Sequence, residues 1–165
     1  MTAKKSVKKI FSMNKPTFEE FIEICKLNAN EKYISELLKI VKELDCIYTS
    51  GIIMPYNHIL DIYTLRLKIA EENKHLSENE ILDFKYCVNN ISKSNSENIG
   101  ILNLRTEHNF FMIFYEPNPK IIFGIIKFTE TETLKNIEDY NDEIMQKGYS
   151  SSAQKYSKGK LIKEW

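Results

Sequence analysis

The chain has 165 residues, of which 42% are apolar and 12% aromatic, and its 23 basic side chains balance 23 acidic ones. That composition describes one packed domain with ends and excludes disorder along the whole length, while the longest apolar runs, 110–115 and 121–126, fall far short of the roughly 20 residues of a membrane-crossing helix. Only Arg66 and Arg105 are arginines and the formal charge is zero, so the field that gathers a phosphate backbone is missing and nucleic acid is not an expected partner.

Residues 1–15 carry Lys4, Lys5, Lys8, Lys9 and Lys15 with no acid and lack the apolar centre of a secretory leader. They read as a solvated basic N-terminal arm, with weak contact to an anionic surface as the sharper reading. A single α+β domain is expected over 16–148. Thr17-Phe18-Glu19-Glu20 has capping-box spacing, and Phe18, Phe21, Ile22 and Cys25 follow on one helical face, which predicts a helix to about residue 28. Tyr33, Ile34, Leu37, Leu38, Val41 and Leu44 repeat the stripe and predict a second helix over 31–45.

The stretch 46–69 supports two periods. Ile59, Tyr63, Leu67 and Ala70 suit a helix, whereas Tyr63, Leu65, Leu67 and Ile69 alternate with polar residues as a strand does. The β-rich segment 47–53, with Gly51, Pro55 and the turn-like 55–58, favours a hairpin with arms 46–54 and 59–67. Ser77 to Glu80 forms a second capping box, with Leu76 and Ile81 placed as a hydrophobic staple. The helix it opens, 77–91, has the face Ile81, Phe84, Cys87, Val88 and Ile91.

Three apolar segments follow, 99–105, 110–115 and 120–128, with short turn-rich gaps that predict an antiparallel meander. A closing helix is expected over 132–146, opened by a Thr129 to Glu132 capping box, burying Leu134, Ile137, Tyr140 and Ile144, and stopped by Gly148. Residues 149–165 read as a Ser/Lys-rich tail whose last apolar residues, Leu161, Ile162 and Trp165, dock or fray.

The second and third meander segments do not alternate apolar with polar residues, so neither face tolerates water. Burying each such side chain is worth about 1.5–3 kcal/mol, and helices are therefore expected on both sides of the sheet. Asn103 and Arg105 interrupt the first segment, which suits an edge strand.

The expected fold is α+β: a five-stranded antiparallel sheet, αββαβββα, covered by helices on both faces, with an extra N-terminal helix. That order, with the meander feeding a closing helix, resembles the roadblock family of dynein light-chain type within the profilin-like folds, over about 31–147. Members often carry an acidic residue with glycine where this chain has Tyr56-Asn57-His58. The resemblance implies a non-catalytic regulatory scaffold, and the odd number of cysteines without CxxC spacing separately leads to the expectation of a cytoplasmic protein. Such a scaffold forms a homodimer by joining middle edge strands and helices, and partners a Ras-like small GTPase or a larger assembly. By position the interface would use Ile99, Ile101, Asn103 and Arg105 of the edge with Phe84, Val88 and Ile91 of the neighbouring helix.

No residue is assigned a catalytic, cofactor-binding or metal role. Five glycines form no phosphate-binding loop. His58, His75 and His108 are far apart and fall at predicted turns or loops. Cys25, Cys46 and Cys87, odd in number and without CxxC spacing, read as reduced core thiols. Acid pairs such as Glu71-Glu72 and Asp142-Glu143 point about 100° apart on a helix and read as solvating charge. A PD-(D/E)xK nuclease would need acids on the second and third meander strands, and 110–115 has none. The alternative from a different class is a toxin-neutralising immunity protein binding one cognate effector.

Overall fold

The computed structural model describes residues 15–49, 53–117, 120–129, 137–148 and 152–165. In chain order these form α1 (Phe18–Leu27), α2 (Ile34–Glu43), β1 (Asp45–Thr49), β2 (Ile53–Pro55), α3 (Tyr56–Asn73) and α4 (Glu78–Ser92). There follow β3 (Asn98–Arg105), β4 (Asn109–Glu116), β5 (Ile121–Thr129), α5 (Ile137–Gln146), β6 (Ala153–Ser157) and β7 (Lys160–Glu164). No helix among the described residues is long and apolar enough to cross a membrane.

Both readable helix starts form as local chemistry dictates. The Thr17 hydroxyl accepts from the Glu20 amide at 3.1 Å while the Glu20 carboxylate accepts from the Thr17 amide; Ser77 and Glu80 repeat the exchange at α4. α2 begins later than expected, after Tyr33 in a left-handed conformation with φ of 73°. The predicted cap at 129–132 and Leu134 lie outside the described residues, as do the side chains of Ile137, Tyr140 and Ile144 and most of the basic arm, 1–14. Gly148 does take a positive φ, 75°, and its amide donates to the Met145 carbonyl.

The hairpin expected at 46–67 does not form. β1 and β2 take its first arm, and its second arm is α3, an 18-residue helix. The helical period wins because Ile59, Tyr63 and Ala70 all meet the core while Leu65 and Ile69, half of the alternating set, are exposed. Residues 152–165 are likewise not a tail. Lys158 and Gly159, with φ of 50° and 83°, form the two-residue left-handed turn that suits a tight hairpin, and β6 pairs with β1 along its whole length. Trp165 docks with Ile47, Ala153 and Met145, and Lys163 is held by Glu138 at 2.8 Å and Asp142 at 3.4 Å on α5.

Among the described residues the sheet therefore has seven antiparallel strands rather than five, in the order β5-β4-β3-β1-β6-β7, with β2 following β1 along the same side of β3. This corrects the expected edge. β3 exchanges bonds with β4 on one side and with β1 and β2 on the other, so it is interior.

Helices cover both faces, as the unbroken apolar segments require. α1 and α2 pack over Tyr48, Leu102, Leu104, Phe111, Ile113 and Tyr115. α3 and α4 pack over Ile99, Ile101, Phe114 and Ile126 on the opposite face, and α5 reaches that face at Ile47, which alternates with Tyr48. Two glycines permit close approaches: Tyr115 lies over Gly100, and α4 rides against Gly124 through Cys87. The three cysteines are buried and free. Burial pushes the thiols of Cys25 and Cys46 up to about 12 and raises Cys87 as well. Native protein at pH 8 should therefore react with an aromatic disulfide reagent about a thousandfold or more slowly than unfolded chain. Rapid labelling of any cysteine in the native state would contradict its core placement.

Candidate functional site

Among the described residues β5 ends the sheet, and a bare edge of this hydrophobicity is an aggregation template. Side chains from both helical layers seal it. Asn28, after α1, accepts from the Ile122 amide at 3.3 Å and donates to the Ile24 carbonyl at 2.7 Å. From the opposite layer, Asn90 on α4 donates to the Phe123 carbonyl at 2.7 Å, and Asp83 accepts from the Lys127 amide at 3.4 Å. The two-residue period of the strand turns the peptide groups of Ile125 outward between these contacts.

Over Ile125 the layers part to leave a cleft of about 330 Å³. Asn30, Glu31 and Lys32 from the α1–α2 connection form one wall, and Leu82, Asp83 and Tyr86 of α4 form the other. Asp83 is only 4% exposed. It holds the Lys32 ammonium at 3.0 Å and accepts from the Tyr33 hydroxyl at 2.6 Å. That contact keeps Lys32 above its ordinary range, while burial, reinforced by Asp83, raises the Tyr33 phenol. Lys127 pairs with Glu36 at 2.7 Å. The two layers are thus strapped around the edge of the sheet by charge-assisted bonds.

Glu31 is treated differently. Among the described residues its carboxylate receives only the Tyr86 hydroxyl, at 3.4 and 3.5 Å, and burial holds its carboxyl above the usual range, with Tyr86 opposing. Tyr86, 48% exposed, stands beside exposed Leu82 at the mouth. Further along the same edge Leu27, 79% exposed, and Ile121 flank the Asn28–Ile122 contact.

The seven residues expected at an interface lie elsewhere. Ile99 and Ile101 of β3 and Phe84 and Ile91 of α4 are buried in one core cluster, and Val88 of α4 packs against it. Asn103 is half-buried, with a side-chain oxygen that has no partner among the described residues. Arg105 lies 4.6 Å above the Phe110 ring. The structure does not assemble them into a surface. His58, His75 and His108 are exposed and separate, and among the described residues no three His, Cys, Asp or Glu side chains converge as metal ligands. The reading of helix 77–91 missed Asp83, although its position four residues before Cys87 and eight before Ile91 places an acid on the buried stripe.

A second hollow, about 350 Å³, opens between the start of α1 and the β6–β7 hairpin. Lys15 reaches Gln154 at 2.6 Å and the Tyr48 carbonyl at 3.3 Å, with its ammonium 4.2 Å from the Tyr48 ring centre. Burial draws this lysine down to about 7, with Glu164 opposing. A lowered lysine means that between about pH 7 and its ordinary value of 10.5 the unfolded chain binds a proton the folded chain does not. Stability from this group therefore rises with pH across that window, by at most about 1.4 kcal/mol per pH unit. Lys15→Met should remove the rise, gaining most relative to the parent below pH 7. Urea titrations of both proteins from pH 6 to 10 check it, and parallel pH profiles would refute it.

Comparison of the chain with family models, curated proteins and solved structures finds no match.

Proposed function

We propose that this chain is a non-catalytic protein-binding module and that the β5 side is its working face. The observation that supports this reading is the band of Leu27, Ile121, Leu82 and Tyr86, exposed along one sheet edge around a charged cleft. Exposed tyrosine and leucine side chains set around buried charge provide the apolar anchors and the polar partners that a specific interface combines. Because Asn28, Asn90 and Asp83 seal the β5 backbone, a partner is held here by side chains and not by strand addition.

Two forms of the reading follow from the sequence. A scaffold resembling roadblock proteins, partnered by a small GTPase, is supported by the β3–β5 meander between helical layers. Its dimer would form on the β5 side, since β3 has no free edge. A toxin-neutralising immunity protein needs a single face and no self-association, and the interior position of β3 favours it. Solution mass, with the full chain used to capture a small GTPase or the product of a neighbouring toxin gene, separates the two.

In either form the double variant Leu82→Asp, Tyr86→Ala should weaken binding about a hundredfold or more, the scale of central interface residues. Ile162→Ser on β7 should leave it unchanged. Wild-type binding by the double variant would dismiss the β5 side.

A further inference from the structure

We propose that the cleft over Ile125 receives a guanidinium side chain from the protein partner, with the Glu31 carboxylate as its counter-ion. This rests on the protein-binding reading above and names the chemistry of the partner.

Among the described residues the charges of the cleft are paired except for one. Asp83 is answered by Lys32, Tyr33 and the Lys127 amide, and the Lys127 ammonium by Glu36. Glu31 has one neutral donor, at 3.4–3.5 Å, well beyond the 2.5–2.7 Å of a strong hydroxyl–carboxylate bond. Lys32, the adjacent cation, already lies 3.0 Å from Asp83. Among the described residues the lining thus holds one negative charge with no cationic partner, partly withdrawn from water, and burial without a partner is costly for such a group. Burial accordingly raises the Glu31 carboxyl from its ordinary value, with the Tyr86 hydroxyl opposing.

The walls select among cations. A bare divalent ion requires several oxygen ligands, and Asp83 is already engaged. A guanidinium meets the carboxylate with two parallel bonds, stacks on an aromatic face and is weakly hydrated. Tyr86 offers the face, Leu82 and Ile125 offer apolar surface for the stem, and the outward peptide carbonyl of Ile125 offers a further acceptor. A cleft of about 330 Å³ is at the small end of ligand cavities and suits a side chain of this length.

The test uses amide-resolved NMR of the full chain, titrated with N-acetyl-arginine amide and with its citrulline counterpart, which has the same shape but no charge. The arginine probe should shift the amides of Glu31, Asp83, Tyr86 and Ile125 saturably, with millimolar affinity. The citrulline probe, and the arginine probe on Glu31→Gln, should bind about tenfold or more weakly, with the melting point of the variant retained. Equal binding of the two probes, an unchanged titration of Glu31→Gln, or shifts scattered over the surface would overturn the inference. If the Leu82→Asp, Tyr86→Ala variant loses its protein partner while the arginine probe is silent, protein binding stands and the guanidinium site falls. If the probe binds and partner capture survives that variant, the site stands and the protein-binding face falls.

Discussion

Gly124→Ala should destabilise the protein by about 1–3 kcal/mol, the cost of forcing one extra carbon into a packed core, although alanine is ordinarily the better residue within a strand. A Cβ built at residue 124 would lie 2.5 Å from Cys87 Sγ and 3.2 Å from Cys87 Cα. The thiol has little room to turn away, since Cys87 is fully buried, and the backbone atom moves only if α4 lifts from β5. That shift would loosen Asn90 on the Phe123 carbonyl and Asp83 on the Lys127 amide, so one methyl group disturbs the sealed edge as well as the core. For a chain of this size a loss of 2 kcal/mol lowers the melting point by about 4–8 °C. Cys87→Ala in the same chain removes the nearer clash and should recover part of the loss, giving a coupling of about 0.5 kcal/mol or more in a double-mutant cycle. Urea unfolding of the four proteins measures it. A Gly124→Ala protein as stable as the parent would refute the close approach of α4.

Asp83→Ala should cost about 2–4 kcal/mol, because the Tyr33 hydroxyl and the Lys127 amide each lose an acceptor in a half-buried place, at about 1–3 kcal/mol per unanswered group. The Lys32 ammonium adds little, since that side chain is largely exposed and regains water. The loss should be local in character. Tyr33 holds an unfavourable left-handed backbone at the start of α2, and without Asp83 that turn keeps only the long Glu31–Tyr86 contact to α4 among the described residues. Hydrogen exchange should therefore accelerate over the amides of 30–36 and 125–128 more than over β3. Tyr33→Phe combined with Asp83→Ala should cost less than the sum of the two single changes, because both remove the same bond. Exchange that accelerates evenly over the whole sheet would show that Asp83 is not a strap between the two helical layers.

Much of the architecture was legible because its causes are local. Thr17 with Glu20 and Ser77 with Glu80 start helices by bonds that span three residues, and an unbroken apolar run such as 110–115 requires cover on both faces whatever lies far away in the chain. Residues 59–70 were misread because two periods are written over one another, and only the presence of a core at Ile59, Tyr63 and Ala70 selects the helix. β3 resembled an edge because Asn103 and Arg105 are polar, yet Arg105 places its guanidinium over Phe110 and Asn103 sits between Thr49 and Met112. The β6–β7 hairpin carried no alternating apolar pattern, and two of its lysines, Lys155 and Lys163, are answered by Glu138 and Asp142 on α5.

The candidate site was the least legible part. Asp83 finds Lys32 and Tyr33 about fifty positions away, and no spacing rule along a chain reports a pairing of that range. Helix starts, apolar strands and buried thiols followed from the order of the residues alone, since each depends on neighbours within a turn or a strand, or on the preference of a side chain for oil over water. Tertiary packing decided which strand lies at the edge, which carboxylate is neutralised and which is left unanswered. Those outcomes depend on distances between segments, and only the closing of two helical layers around β5 sets them.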